Sequence, residues 1–216
     1  MHLVSIRTLG QVASATFVAL LFVFAATLPA APPEAEATLT GTKQLPSFSL
    51  GDTEGNKHSL DEFARHKAIV LFFLGTECPV SNGYSPDMQS IVSKYATAGI
   101  ACYGVHCDPT ITIAEVAAHA KAYHLVFPML LDRDQVLAHG SGVRVTPEAV
   151  VVSPTGKVLY RGRLDDRYST EGKRRDEPTV RDLENALNSV LANEAPAVAE
   201  TKAFGCPLPR RKSAAR

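Results

Sequence analysis

Four cysteines are the residues of this 216-residue chain best suited to chemistry, and their settings differ. Cys78 follows a seven-residue apolar run, AIVLFFL, and a turn, Gly75-Thr76-Glu77, and it is followed at once by Pro79. Proline suits the first turn of a helix, where its missing N–H is not needed. Tyr84, Met88, Ile91, Val92 and Tyr95 continue at helical spacing, so the pattern predicts one helix over 79–95 with Cys78 at its start. There the helix dipole and unpaired N–H groups favour a thiolate over a thiol. The plain alternative is a small buried apolar cysteine. A position after strand and turn is a loop edge, which favours the reactive reading. Cys102 lies in mid-strand and reads as core. Cys107 closes the same strand, and Cys206 sits between Gly205 and Pro207 near the C-terminus. Cys102, His106 and Cys107 point to alternate faces of their strand, and no other Cys/His group has ligand spacing, so no metal is expected. Neither a Cys-x-x-Cys-His haem motif nor a nucleotide loop occurs, so no tightly bound cofactor is expected either.

The chain's length suits one domain with appendages. Lysine plus arginine equals aspartate plus glutamate, 22 each, which gives no electrostatic case for a nucleic-acid partner. Residues 1–37 read as an export segment with its linker: His2 and Arg7 open it, 12–28 are apolar, and Ala30 or Ala37 could mark cleavage. An uncleaved membrane anchor is the alternative. No cysteine lies there to carry a lipid. Export implies the periplasm or cell envelope, an oxidising compartment where thiol chemistry means disulfides. Residues 38–192 then form the folded domain. Residues 193–216 form a tail, rich in Ala and Pro at first, that is expected to be flexible and to carry Cys206 within reach of another thiol.

Within the domain, 45–50 precedes 51–60, whose Gly and Asp content reads as a turn between two short extended pieces, and 59–63 reads as a brief helical turn. A second apolar strand over 98–106 leads into a helix with Ile113, Val116, Ala117, Ala120 and Tyr123 on one face. Strand, helix and strand form a right-handed unit with parallel strands, which brings Cys107 to the same sheet edge as Cys78. Residues 127–132 read as a strand and 134–139 as a short helix ended by Gly140. A hairpin follows, with strands at 149–152 and 158–160. The charged stretch 162–177 reads as a solvated loop near Cys78, with Asp165, Asp166 and Arg167 as rim contacts. Thr179 is expected to cap a closing helix that carries Leu183, Ala186, Leu187, Val190 and Leu191. The class is α/β, a central mixed sheet flanked by helices.

LPSFSLGDTEGNKHSLDEF, then a strand, then a cysteine at a helix start, resembles the redoxins of the thioredoxin-fold superfamily. These include thiol-disulfide oxidoreductases and the alkyl hydroperoxide reductase/thiol-specific antioxidant proteins. The resemblance covers about 45–192 and implies a thioredoxin-like fold in which 127–140 is the redoxin insertion. It puts Thr146-Pro147 where such folds place a cis-proline, which would expose the backbone of Val145 and Thr146 so that a partner chain can add as a strand. An ordinary trans proline at a strand start is the alternative. The tail resembles that of exported redoxins with a single cysteine at the helix start, which implies a resolving role for Cys206. Cys78-Pro79-Val80-Ser81 has serine where a dithiol enzyme would carry its second cysteine, so a local disulfide is excluded. A peroxidase of the family would have threonine three residues before its cysteine and an arginine near the later strand. Here Gly75 holds the first position, Thr76 is displaced by one, and Pro147 falls near the second, which counts against peroxide reduction.

The expected activity is exported thiol-disulfide exchange, with Cys78 as attacking thiolate and Cys206, or alternatively Cys107, as resolver. Thr76 and Pro147 complete the catalytic set, and Val145, Thr146 and Pro79 the substrate-binding set. Protein or small-molecule disulfides are the expected substrates, with an external thiol donor; oligomeric state is open. Two other readings stand beside it: a peroxiredoxin-like thiol peroxidase, and a non-catalytic binding module with a permanent Cys78–Cys206 bridge. Four cysteines allow three complete pairings, and spacing does not choose among them.

Overall fold

The computed structural model describes residues 43–170 and 173–209. The expected export segment lies outside them, as does the basic end of the tail. Among the described residues, eleven strands and six α-helices follow in chain order. They are β1 (Ser49–Gly51), β2 (Lys57–Ser59), α1 (Leu60–Phe63), β3 (Ala68–Leu74), α2 (Pro79–Gly83), α3 (Ser85–Tyr95) and β4 (Ile100–His106). After these come α4 (Ile113–Ala122), β5 (Met129–Leu131), α5 (Val136–Ser141), β6 (Val145–Thr146), β7 (Glu148–Val152) and β8 (Val158–Gly162). The chain closes with β9 (Tyr168–Thr170), β10 (Lys173–Arg174), α6 (Asp182–Leu191) and β11 (Cys206–Pro207).

The central sheet has five strands in the order β5-β4-β3-β7-β8. β3 pairs parallel with β4 and antiparallel with β7, which makes the sheet mixed. All seven residues of β3 are buried, as an unbroken apolar run between two covered faces requires. Its even-numbered residues, Ala68 to Leu74, join α3, α4 and α6 in one core, which includes Met88, Val116 and Leu187. Its odd-numbered residues, Ile69, Leu71 and Phe73, join Phe63, Tyr103, Leu137 and Val150 in the other. Truncating a wholly buried ring such as Phe72 to Ala would cost about 3–5 kcal/mol.

Several local expectations are corrected. The helix predicted over 79–95 is two helices meeting at Tyr84, because Pro86 in the first turn of α3 supplies no N–H to carry α2 onward. α5 starts at Val136 rather than Asp134, where the Asp132 carboxylate accepts the Val136 and Ala138 amides, and it ends at Gly142 with φ 79° rather than at Gly140. Thr179 does not cap α6; its amide and hydroxyl donate to Asp166, and α6 begins at Asp182. The charged stretch after β8 is not simply solvated. Asp165, Asp166 and Arg167 are buried, with Arg167 gripping Asp87 through two bonds of 2.7 and 2.8 Å and Tyr84 donating to Asp165. A guanidinium and carboxylates can be buried where charge-assisted bonds pair them in this way, here with the Arg167 Nε alone left without a partner among the guanidinium nitrogens.

The largest departure is the tail. Composition predicts mobility, yet 199–209 is docked, first along the edge strand β8 and then against β6. Arg161 donates its amide to Ala199 and accepts from Thr201, each at 3.0 Å, and β11 then pairs antiparallel with β6. Backbone pairing to an open strand edge needs no long apolar run, so composition gives no sign of it.

Candidate active site

The parallel register sets Leu74 beside His106, so β3 and β4 end at one sheet edge. The turn after β3 and the residue after β4 then open onto a common cleft of about 560 Å³. Gly75, Thr76, Glu77 and Cys78 line one side of it, His106, Cys107, Asp108 and Thr110 another, and Thr146 with Cys206–Pro207 a third.

Cys78 is the N-cap of α2, and its sulfur accepts the Ser81 amide at 3.4 Å. Only 3 % of the residue is exposed, yet it belongs to neither apolar core; the tail covers it. Across from it the Thr146–Pro147 bond is cis. In its protonated form the Cys78 thiol donates to the Thr146 carbonyl at 2.9 Å. β11 sets Cys206 opposite Thr146, which brings the Cys206 thiol against the Cys78 sulfur. Burial opposes ionisation of Cys78, but hydrogen bonds from the Cys206 thiol, the Ser81 amide and hydroxyl and the Cys206 backbone outweigh it. Its pKa therefore falls below the ordinary cysteine value. Cys206 moves the other way, to about 11, through burial and the neighbouring Cys78 sulfur. One sulfur is suited to be a thiolate and the other its proton-bearing partner; both are free thiols here.

A family model described as AhpC/TSA matches residues 42–161, more than half of the chain. The chain belongs to the AhpC/TSA family. A thiol-disulfide oxidoreductase ResA from Bacillus thuringiensis subsp. konkukian (strain 97-27) is 32% identical over 117 residues, 54% of this chain and 66% of that protein. The match thus spans just under two thirds of the relative. Among solved structures, a hypothetical protein from Sinorhizobium meliloti 1021 superposes with a TM-score of 0.69 at 27% identity, covering 79% of this chain and 94% of its own. The thioredoxin domain of a thiol-disulfide oxidoreductase from Bacteroides vulgatus superposes with a TM-score of 0.53 at 19% identity, over 70% and 98%. The fold is thioredoxin-like.

On this AhpC/TSA scaffold the other candidate residues are placed unevenly. Thr146 is on the cleft wall and Val145 pairs with Pro207, so the backbone expected to receive a partner strand is occupied by the chain's own tail. Thr76 lines the cleft, and its carbonyl accepts from Asn82 at 3.1 Å. Pro79 is exposed at the first position of α2 and is not among the lining residues. Cys107 lines the cleft but is 2 % exposed; burial raises its pKa well above the ordinary value, and the Asp132 carboxylate 3.7 Å away adds to this. Asp165, Asp166 and Arg167 are not on the cleft wall. Among the described residues no group of three or more His, Cys, Asp or Glu side chains could hold a metal, and no helix is long and apolar enough to cross a membrane.

Sequence reasoning missed Ser81 as a donor to Cys78, although its place three residues after an N-cap is a readable signal. It also missed Arg161. That guanidinium is buried, with Glu148, which follows the cis-proline, on one side and the tail's Glu200 on the other. Glu148 in turn accepts the Arg144 amide at 2.9 Å, so the cis-proline loop and the tail share one ionic link.

Proposed function

We propose that the protein is an exported thiol-disulfide oxidoreductase in which Cys78 attacks and Cys206 resolves. The observation that carries this reading is the approach of the Cys206 thiol to a Cys78 sulfur whose ionisation it favours. The Cys78 thiolate attacks one sulfur of a substrate disulfide; a Cys78–substrate bond forms, the substrate S–S bond breaks, and the first substrate thiolate departs. Cys206, losing its proton, then attacks the Cys78 sulfur, which forms Cys78–Cys206 and releases the second substrate thiolate. An external thiol donor reduces that bond and restores the enzyme. Thr76 and Pro79 shape the turn that presents Cys78, while Val145, Thr146 and Pro147 form the opposing wall. Cys107, protonated beside Asp132, stands outside the cycle. Export to the periplasm or cell envelope is supported by the weakly basic, then apolar, sequence of residues 1–37.

The deciding experiment is mass spectrometry of trapped adducts combined with a disulfide-reduction assay. Wild type should form Cys78–Cys206 after one turnover, the Cys206→Ser variant should accumulate a substrate adduct on Cys78, and Cys78→Ser should be inert. Retention of disulfide reduction by Cys78→Ser would overturn the mechanism. Rapid consumption of hydrogen peroxide with a sulfenic acid on Cys78 would replace it with the peroxidase reading.

A further inference from the structure

The tail is held as a bound peptide would be. At one station Arg161 exchanges two backbone hydrogen bonds with Ala199 and Thr201 and pairs with Glu200. The approach there is so close that a methyl group on Gly162 would overlap the Thr201 backbone. At the second station Cys206 and Pro207 pair with Thr146 and Val145, and the Leu208 amide extends the ladder by donating to Arg144 at 3.1 Å. The Leu208 side chain packs against the second core, and the Pro209 carbonyl accepts from Gln135 at 2.6 Å. Gly205 runs directly over the Thr146–Pro147 peptide plane, where a methyl group would overlap the Thr146 carbonyl oxygen. Glycine at this place is a requirement of space rather than of backbone angle.

Resting on the reading of Cys78 as nucleophile, we infer that the Val145–Thr146 edge selects an extended polypeptide with a glycine immediately before its cysteine, and that this chain and the tail occupy the groove in turn. The tail is thus a template for the substrate: an incoming strand that sets its cysteine opposite Thr146 must cross the same peptide plane. Any side chain at the preceding position meets the same carbonyl. Such a chain can enter only when residues 204–209 have left.

The test uses the full-length Cys206→Ser protein and two pentapeptides, Phe-Gly-Cys-Pro-Leu and Phe-Ala-Cys-Pro-Leu, each with its cysteine in a disulfide to 2-thiopyridine. Cys78 attacks the peptide sulfur, the bond to pyridine breaks, and pyridine-2-thione is released and measured, with the adduct confirmed by mass. The glycine peptide should react at least about fivefold faster, the factor that corresponds to the low end of the overpacking cost of a methyl group. Adding Gly205→Ala to the protein should expel the tail and speed capture of the glycine peptide severalfold, with the alanine peptide remaining slow. Equal rates for the two peptides, or a glycine-peptide rate unmoved by Gly205→Ala, would overturn the inference. Free 2,2′-dipyridyl disulfide separates the two levels of failure. If Cys78 does not react even with that reagent, the nucleophile assignment itself fails; if it reacts but the peptides are not distinguished, only the selectivity is lost.

Discussion

Cys78 and Cys107 stand at the ends of neighbouring parallel strands, on one cleft, 3 % and 2 % exposed, yet their acidities move in opposite directions. Both sulfurs carry the cost of burial, which disfavours a thiolate. Cys107 is offered a carboxylate and no compensating donor, so it stays protonated. Cys78 is offered donors from two sides, Ser81 on α2 and Cys206 on the tail. Position at the sheet edge therefore brings a cysteine to the cleft, while the donors decide whether it can attack. One of those donors comes from a segment outside the strand, turn and helix that present Cys78, which ties the acidity of Cys78 to the docking of the tail.

The sharpest test of the contrast is a pair of substitutions. Cys78→Ser should reduce disulfide exchange to background, whereas Cys107→Ala should retain turnover and lose only about 1 kcal/mol in a denaturant melt from the deleted buried sulfur. Loss of turnover in Cys107→Ala would make the two sulfurs partners and end the contrast. Next in size is Cys206→Ala. It removes a hydrogen bond to a charged acceptor, worth about 1.5 kcal/mol, so alkylation of Cys78 by iodoacetamide at neutral pH should slow by roughly tenfold. The sign follows from the depressed pKa: thiolate persists in wild type to lower pH than in an ordinary cysteine, so the pH–rate curve of the variant should move to higher pH. An unmoved curve would assign the depression to Ser81 and α2 alone.

A smaller effect is expected from Gly162→Ala, which crowds Thr201 at the tail's first station without touching either sulfur. Formation of the Cys78–Cys206 bond after oxidation should slow, the tail should become open to limited proteolysis, and the melting midpoint should also fall, because Gly162 has φ 152°, which an L side chain rarely adopts. Unchanged bond formation would show that the β11–β6 pairing alone holds Cys206 in place.

The sheet was legible because its strands are long unbroken apolar runs: β3 and β4 can only be buried on both faces, and their crossover fixes the parallel edge where Cys78 and Cys107 meet. Thr146-Pro147 was legible through the family resemblance, and it is cis as that resemblance implies. Three things were hidden. The break at Tyr84 depends on Pro86 within a pattern that is otherwise continuous, and hydrophobic periodicity does not register a missing N–H. The docked tail depends on backbone hydrogen bonds and two close approaches of glycine, which leave almost no trace in hydropathy. Likewise Asp165, Asp166 and Arg167 read as solvated because charge usually is; Asp165 and Arg167 are buried against Tyr84 and Asp87, about eighty residues away, and Asp166 against Thr179.

The least disruptive probe of the contrast is Asp132→Asn. This carboxylate is wholly buried, accepts the Val136 and Ala138 amides at 2.7 and 3.0 Å, and faces the Cys107 sulfur. Burial is the main reason that Cys107 resists ionisation, with Asp132 second, so removing the charge should leave Cys107 unreactive toward iodoacetamide in the folded protein. The weakened cap on α5 should cost about 1 kcal/mol. Burial also raises the pKa of Asp132 itself above its ordinary 3.8, and the sign of the resulting pH dependence is fixed. The unfolded chain releases this proton first, so in wild type the group lowers stability as pH rises from 3.8 through the folded pKa, a decline that Asn lacks. Denaturant melts of both proteins at about pH 3.5 and pH 7 should therefore show the deficit of the variant shrinking at the higher pH. If Cys107 instead becomes reactive in Asp132→Asn, the carboxylate rather than desolvation silences it, and the two cysteines differ by a single neighbouring charge.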